Sequence, residues 1–335
     1  MTNERPMGSF PNVPREAPAT LVGRLAPSPT GHLHLGHAFA FLVAWWSVRS
    51  RKGSIVLRIE DVDAGRSSAE LIDQCQQDLR WLGIDWERVR IQSSRSRLLV
   101  AAAQALARRG LAYACTCSRK DIAQSVRGAP QQGVVESRYP GTCRGRYPSL
   151  GEAETISGKA AGLRFFVPPG EVRFEDRVYG WYGEDVAATV GDVLVLRRDK
   201  DPCYQLAVVV DDDYDGVTEV VRGRDLLAST ARQILLAEAW GHQVPSYAHL
   251  PLVCDHTGRR LAKRRDDLSL AHLRASGIPS ENIVRWAASC AGMSDCNGVR
   301  TASDAIERFA WRNVAREDIL LPPDPFALLR SFAPR

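Results

Sequence analysis

An α/β fold built on a Rossmann-like, doubly wound parallel sheet, with an inserted subdomain and a helical C-terminal region, is predicted by three observations. An apolar strand pattern near the N-terminus hands over through a Gly- and Pro-rich turn to a buried helix. Strand and helix patterns then alternate, and a cysteine-bearing stretch interrupts the alternation before it resumes. Strand–helix–strand order makes the strands parallel, because a right-handed crossover through a helix is the short way back to the same sheet edge.

The elements follow in order. Residues 1–20 are rich in proline, poor in large apolar residues and without periodicity, and read as a disordered extension. Residues 21–26 form a short apolar strand, residues 27–36 a turn, and residues 38–48 a buried helix. Residues 55–59 alternate as a second strand, and helices follow over residues 68–82 and 95–109, the first with Leu71, Cys75, Leu79 and Leu82 along one face. Residues 112–198 interrupt the pattern with short alternating segments at 163–167 and 193–196. The grammar resumes with the apolar run 206–210, the acidic residues Asp211 to Asp213, a helix over 226–240 and a strand over 250–254. Three helices are expected beyond Asp267, so the divisions are 21–111, 112–198, 199–267 and 268–335.

Composition narrows the class. With 335 residues, 44% hydrophobic and 25% charged, the chain is neither collagen-like, coiled-coil nor wholly disordered. The longest apolar run falls short of the ~20 residues a membrane span requires, and no apolar signal segment follows Met1, so a cytoplasmic monomer without a membrane partner is expected. Eight cysteines are too sparse for a secreted disulfide scaffold. The formal charge of +5 is compatible with a polyanionic partner but does not require one. Basic residues are overwhelmingly Arg, which draws attention to the few lysines, Lys263 among them.

The densest chemistry lies in Arg24-Leu-Ala-Pro-Ser-Pro-Thr-Gly-His-Leu-His-Leu-Gly-His37. It sets His34 and His37 around Gly36 where a strand gives way to a helix, whose free N–H groups and dipole favour phosphate. Gly31 and Gly36 let the backbone approach a nucleotide closely, and two imidazole donors suit the charge that develops as a nucleophile attacks the ATP α-phosphate.

This string resembles the HIGH signature of class I aminoacyl-tRNA synthetases, in the glutamate form Arg-x-x-Pro-Ser-Pro-Thr-Gly-x-Leu-His. Three further segments match in order: Arg58-Ile-Glu-Asp61, Tyr204-Gln-Leu-Ala-Val-Val-Val-Asp-Asp212, and Arg260-Leu-Ala-Lys-Arg264, which resembles a degenerate KMSKS loop. The resemblance runs from about Val22 to Asp267 and implies ATP-dependent activation of glutamate with Mg²⁺ on the nucleotide. His34, Gly36, His37 and Lys263 then belong to the ATP site, with His34, His37 and Lys263 acting on the reacting phosphate. Glu60 is implied to meet the ligand's ammonium, and Arg24, Ser28, Tyr204 and Arg222 to complete the amino-acid set. A buried glutamate brings one ammonium and two carboxylates, each needing an opposite charge, and a guanidinium fork suits a carboxylate. The loop departs from the family pattern at Arg260 and Ala262, where lysine and serine are usual.

Cys115, Cys117 and Cys143 offer three thiolates, a credible part of a tetrahedral zinc site. Tyr139 as fourth ligand is implied by resemblance to the zinc module of short glutamyl synthetase relatives, with Tyr113, Tyr147 or water as alternatives; such a closed site would be structural. The short relatives transfer glutamate to the queuosine base at the wobble position of tRNA(Asp), and the limited chain after residue 267 fits them better than a full anticodon-binding body. The alternatives are a short enzyme that charges the tRNA 3′ end, a paralogue that binds tRNA without catalysis, and another adenylylating enzyme of the same fold.

Overall fold

Chain order in the computed structural model, which describes residues 20–62, 67–125, 138–261, 266–294 and 296–333, begins with a regular alternation. Strand β1 (Val22–Leu25), helix α1 (Leu35–Arg49), β2 (Ser54–Ile59), α2 (Ala69–Trp81), β3 (Arg88–Ile91) and α3 (Ser96–Arg108) lead to β4 (Ala112–Cys115). Short helices α4 (Arg119–Ser125) and α5 (Leu150–Ser157) precede β5 (Gly162–Phe165), β6 (Val172–Asp176), β7 (Gly180–Glu184), α6 (Val186–Thr189) and β8 (Val193–Leu196). Then come α7 (Tyr204–Asp215), β9 (Glu219–Gly223), α8 (Leu227–Trp240), β10 (Ser246–Leu250), β11 (Val253–Cys254), α9 (Leu270–Ala275), α10 (Ser280–Cys290), β12 (Ile319–Leu320) and α11 (Pro325–Ser331). Residues 1–19, nearly all of the expected extension, lie outside the described residues.

The main sheet runs β3-β2-β1-β9-β10-β6-β7, with every neighbouring pair parallel except the terminal β6–β7 hairpin. This is a doubly wound order, and its switch point lies where β1 and β9 meet. The loops leaving their carboxyl ends diverge there and open a crevice. Helix α1 is apolar on every side because it is buried on every side: the sheet covers one face and α10 another, with Phe39 edge-on to Trp286.

Four features differ from the sequence expectations, each for a physical reason. The apolar run 206–210 is the middle of helix α7, which ends at Gly216 with φ of 70°. A fully buried run carries no period that separates helix from strand. The strand that follows is β9, whose Glu219 and Arg222 point charge into the interior and so mask it as surface. The expected strand over 250–254 is two strands, because Pro251 has no N–H to continue the ladder between β10 and β11. Finally, the interruption 112–198 is divided: β4, β5 and β8 make a separate antiparallel sheet, whereas β6 and β7 extend the main one.

The helices after residue 267 share one apolar core with α1, and β12 pairs in parallel with β11. Among the described residues, no helix is long and apolar enough to cross a membrane.

Candidate active site

Local chemistry at the start of α1 sets the site. His34 is the N-cap, and its Nδ1 accepts the Gly36 N–H at 3.1 Å; the Nδ1 of His37 in turn accepts the His34 N–H at 3.1 Å. This reciprocal arrangement is a capping box in which two imidazoles replace the usual hydroxyl and carboxylate. With Nδ1 occupied as an acceptor, a neutral ring carries its proton on Nε2, which makes that atom a donor. The two ring centroids are 3.8 Å apart. A Cβ on Gly36 would lie 3.1 Å from Cε1 of His34, so glycine is what lets that ring lie against the helix end.

A cavity of about 390 Å³ opens beside this cap at the carboxyl ends of β1, β2, β9 and β10. Arg24, Ser28, His34, Gly36, His37, Glu60, Tyr204 and Arg222 all line it. Lys263 lies outside the described residues, as do Ala262 and Arg264; Arg260 is described and reaches the cavity wall in an ion pair with Asp225 at 2.6 Å. Among the described residues, the charged side chains of the wall are Arg24, Arg222 and Arg260 against Glu60 and Asp225.

Beneath the wall, Arg58 is wholly buried between Asp212 at 2.5 Å and Glu60 at 3.1 Å. Arg24 donates from Nη1 to the Val221 carbonyl at 3.0 Å, and its Nε lies 3.8 Å from Asp212. Burial pushes the Arg24 guanidinium down, partly offset by Asp212. Burial also pushes the Glu60 carboxyl up, against the opposing pull of Arg58 and Arg24, and raises the Tyr204 phenol.

The two expected guanidinium forks differ. Among the described residues Nη2 of Arg24 makes no hydrogen bond, whereas Arg222 donates from Nε to His249 at 3.1 Å, from Nη1 to Gln233 at 2.8 Å, and from Nη2 to Thr230 at 2.8 Å and the Leu226 carbonyl at 3.4 Å. Arg222 is therefore held by the protein and keeps a single N–H, on Nη1, for a ligand. Sequence reasoning did not find Asp212, Thr230, Gln233, His249 or Asp176. Asp212 stood in the visible acidic run after the apolar stretch, but nothing local told that it anchors Arg58.

A second cluster lies at the end of β4. The sulfurs of Cys115, Cys117 and Cys143 lie within 4.8 Å of one another, with Cys117 and Cys143 at 3.6 Å. The Tyr139 hydroxyl is 3.4 Å from the Cys115 sulfur and accepts the Cys143 N–H at 2.9 Å. Tyr113 bonds instead to Asp192, and the Tyr147 hydroxyl lies 3.5 Å from the Thr116 hydroxyl. Burial and the neighbouring Cys115 push the Cys117 thiol up to about 12. Three clustered sulfurs, with the Tyr139 oxygen beside one of them, are a donor set suited to Zn²⁺.

The family model for the catalytic domain of class I tRNA synthetases (E and Q) matches residues 20–317. The chain belongs to this synthetase family. Its relatives include the glutamyl-Q tRNA(Asp) synthetase of Nitratidesulfovibrio vulgaris, 38% identical over 90% of this chain and 96% of that one. That of Rhodopirellula baltica is 41% identical over 89% of this chain and 96% of that one. The glutamate–tRNA ligase of Hydrogenobaculum is 37% identical over 78% of this chain and 56% of that one. In structure the synthetase fold superposes on a glutamate–tRNA synthetase of Elizabethkingia anophelis with a TM-score of 0.79 at 23% identity, covering 93% of this chain and 70% of that one.

Proposed function

We propose that this synthetase-family protein activates L-glutamate with ATP, without needing tRNA for that step, and transfers it to the queuosine base at the wobble position of tRNA(Asp). The observation that carries the first half is the convergence of Arg24, Glu60, Tyr204 and Arg222 on the same cavity as His34 and His37. The described wall offers a carboxylate, Glu60, for the ammonium of glutamate and two guanidinium groups, Arg24 and Arg222, for its two carboxylates. The acceptor rests on the relatives named glutamyl-Q tRNA(Asp) synthetase, matched along almost their whole length.

Glu60 takes the ammonium and Arg24 and Arg222 the carboxylates, with Ser28 and Tyr204 orienting the ligand. An α-carboxylate oxygen then forms a bond to the α-phosphorus of ATP, and pyrophosphate leaves. The Nε2–H groups of His34 and His37, and Lys263, meet the growing negative charge. Glu60 and Asp225 are already paired with Arg58 and Arg260, so Mg²⁺ would be held by the ATP phosphates and water; bound there, it neutralises phosphate charge. In the second step a hydroxyl of the queuosine cyclopentenediol attacks the activated carbonyl and AMP leaves. Cys115, Cys117, Tyr139 and Cys143 would hold Zn²⁺ in a closed structural site that fixes β4 to the turn at Cys143.

The test offers ATP, Mg²⁺, labelled glutamate and tRNA(Asp) of one sequence prepared with and without queuosine. Label on the queuosine form alone is expected. Equal label on both indicates charging of the 3′ end, the activity named for the Hydrogenobaculum relative, and label on neither indicates a binding paralogue.

A further inference from the structure

Three neighbouring strands of the main sheet place Arg222, His249 and Asp176 in a line. His249 on β10 is the register partner of Arg222 on β9, and β6 brings Asp176 alongside. His249 and Asp176 are buried, at 0% and 1% exposure. Nδ1 of His249 lies 2.7 Å from Oδ2 of Asp176, which also accepts the His249 backbone N–H at 3.0 Å. The other carboxylate oxygen accepts the N–H groups of Val178 and Tyr179 at 3.0 and 2.9 Å.

Donor and acceptor logic fixes the proton. The Arg222 Nε–H can only donate, so Nε2 of His249 must be bare, and the imidazole proton sits on Nδ1 and is given to Asp176. Burial lowers the His249 imidazole and Arg222 adds to that, against the opposing pull of Asp176. The ring is thus kept neutral. Thr230, which faces Nε2 at 3.2 Å, also accepts from Arg222, and Tyr247 stacks on the ring with centroids 6.2 Å apart.

We propose that Asp176 and His249 are positioning residues for the amino-acid pocket: Asp176 fixes the Nδ1–H tautomer of His249, and the bare Nε2 holds Arg222 in the rotation that offers its remaining N–H to a ligand carboxylate. This rests on the reading of the cavity as a glutamate site. Neither residue lines that cavity, so each acts through Arg222.

Asp176→Asn tests it with nearly no change in size. The amide keeps an oxygen for Val178 and Tyr179, but its NH₂ loses the bond to the His249 backbone N–H and forces the imidazole proton to Nε2, against the Arg222 Nε–H. Calorimetric titration with L-glutamate, and separately with ATP, is expected to show glutamate binding weakened by ~10–100-fold and ATP binding unchanged. His249→Gln supplies an acceptor oxygen that needs no tautomer, so in that background Asp176→Asn should cost much less, only the lost bond to the backbone N–H of residue 249. Should Asp176→Asn fail to fold, His249→Gln is expected to bind glutamate more tightly than His249→Leu, which lacks the acceptor. Unchanged glutamate affinity in Asp176→Asn, equal losses for ATP and glutamate, the same loss in both backgrounds, or Gln and Leu behaving alike would each overturn the relay while leaving the glutamate reading intact. A wild-type protein that binds no glutamate would remove that reading and the relay together.

Discussion

Glu60 sits in the wall of the cavity with a carboxyl that burial raises above its usual range, despite Arg58 at 3.1 Å. Only its ionised form can receive an ammonium. The ionised fraction therefore begins to fall at a higher pH than it would for an exposed glutamate, and the KM for glutamate should rise on acidification from that point, with the KM for ATP steady. Glu60→Gln should lose most glutamate-dependent ATP–pyrophosphate exchange, and the KM of what remains should no longer rise on acidification; a variant that keeps the wild-type profile would show that another group titrates. Lys263→Ala is expected to slow exchange by ~10²–10³-fold, the typical cost of losing one donor to a transition-state charge, with an unchanged melting temperature. At this scale the sequence was most legible where chemistry is contiguous: His34, Gly36 and His37 meet through one turn of helix. Arg222 was found by the family resemblance, but its tie to His249 and Asp176 was invisible because strand register alone unites them, across 73 residues from Asp176 to His249 and 27 from Arg222 to His249.

Helix α7 shows why elements differ in legibility. Its start at Tyr204 and its stop at Gly216 frame a run of valines that favours a strand on local preference, yet tertiary pairing decides the outcome. Asp211 binds Arg95 at 2.7 Å, Asp212 binds Arg58, and Asp215 binds Arg90 at 2.8 Å, contacts that a helical spacing of acids provides. Helices α2 and α3, by contrast, carry one apolar face each, and their ends fall within a residue of expectation, with Ser68 capping the first. The loop segment that holds Cys143 has little apolar packing beyond its own small cluster. Cys117→Ser should consequently lower bound zinc, measured by atomic emission, and lower the melting temperature. Full zinc occupancy in that variant would overturn the ligand set.

For the molecule as a whole, the C-terminal helices are not an appendage. Trp286 of α10 is buried against α1, Trp46 of α1 donates to the Ala302 carbonyl at 2.8 Å, and both belong to the core under the HIGH-like turn. Trp286→Ala should cost ~3–5 kcal/mol and shift a single cooperative transition that calorimetry and exchange activity both follow. Two separate transitions would show instead that the helices after residue 267 fold by themselves. The composition and motifs foretold a helical region here, but its partner, an all-round apolar α1, could be named only once the packing was seen.

Asp318, just before β12, accepts the Leu252 N–H at 2.9 Å and pairs with Arg224, so a residue late in the chain braces two walls of the cavity formed by residues 222–226 and 251–253. On the ribosome this imposes a timetable. The turn bearing His34 and His37 emerges early, yet the chamber it serves is braced only once Asp318 has left the exit tunnel, so a fragment that stops short of Asp318 presents the nucleotide motif without this brace.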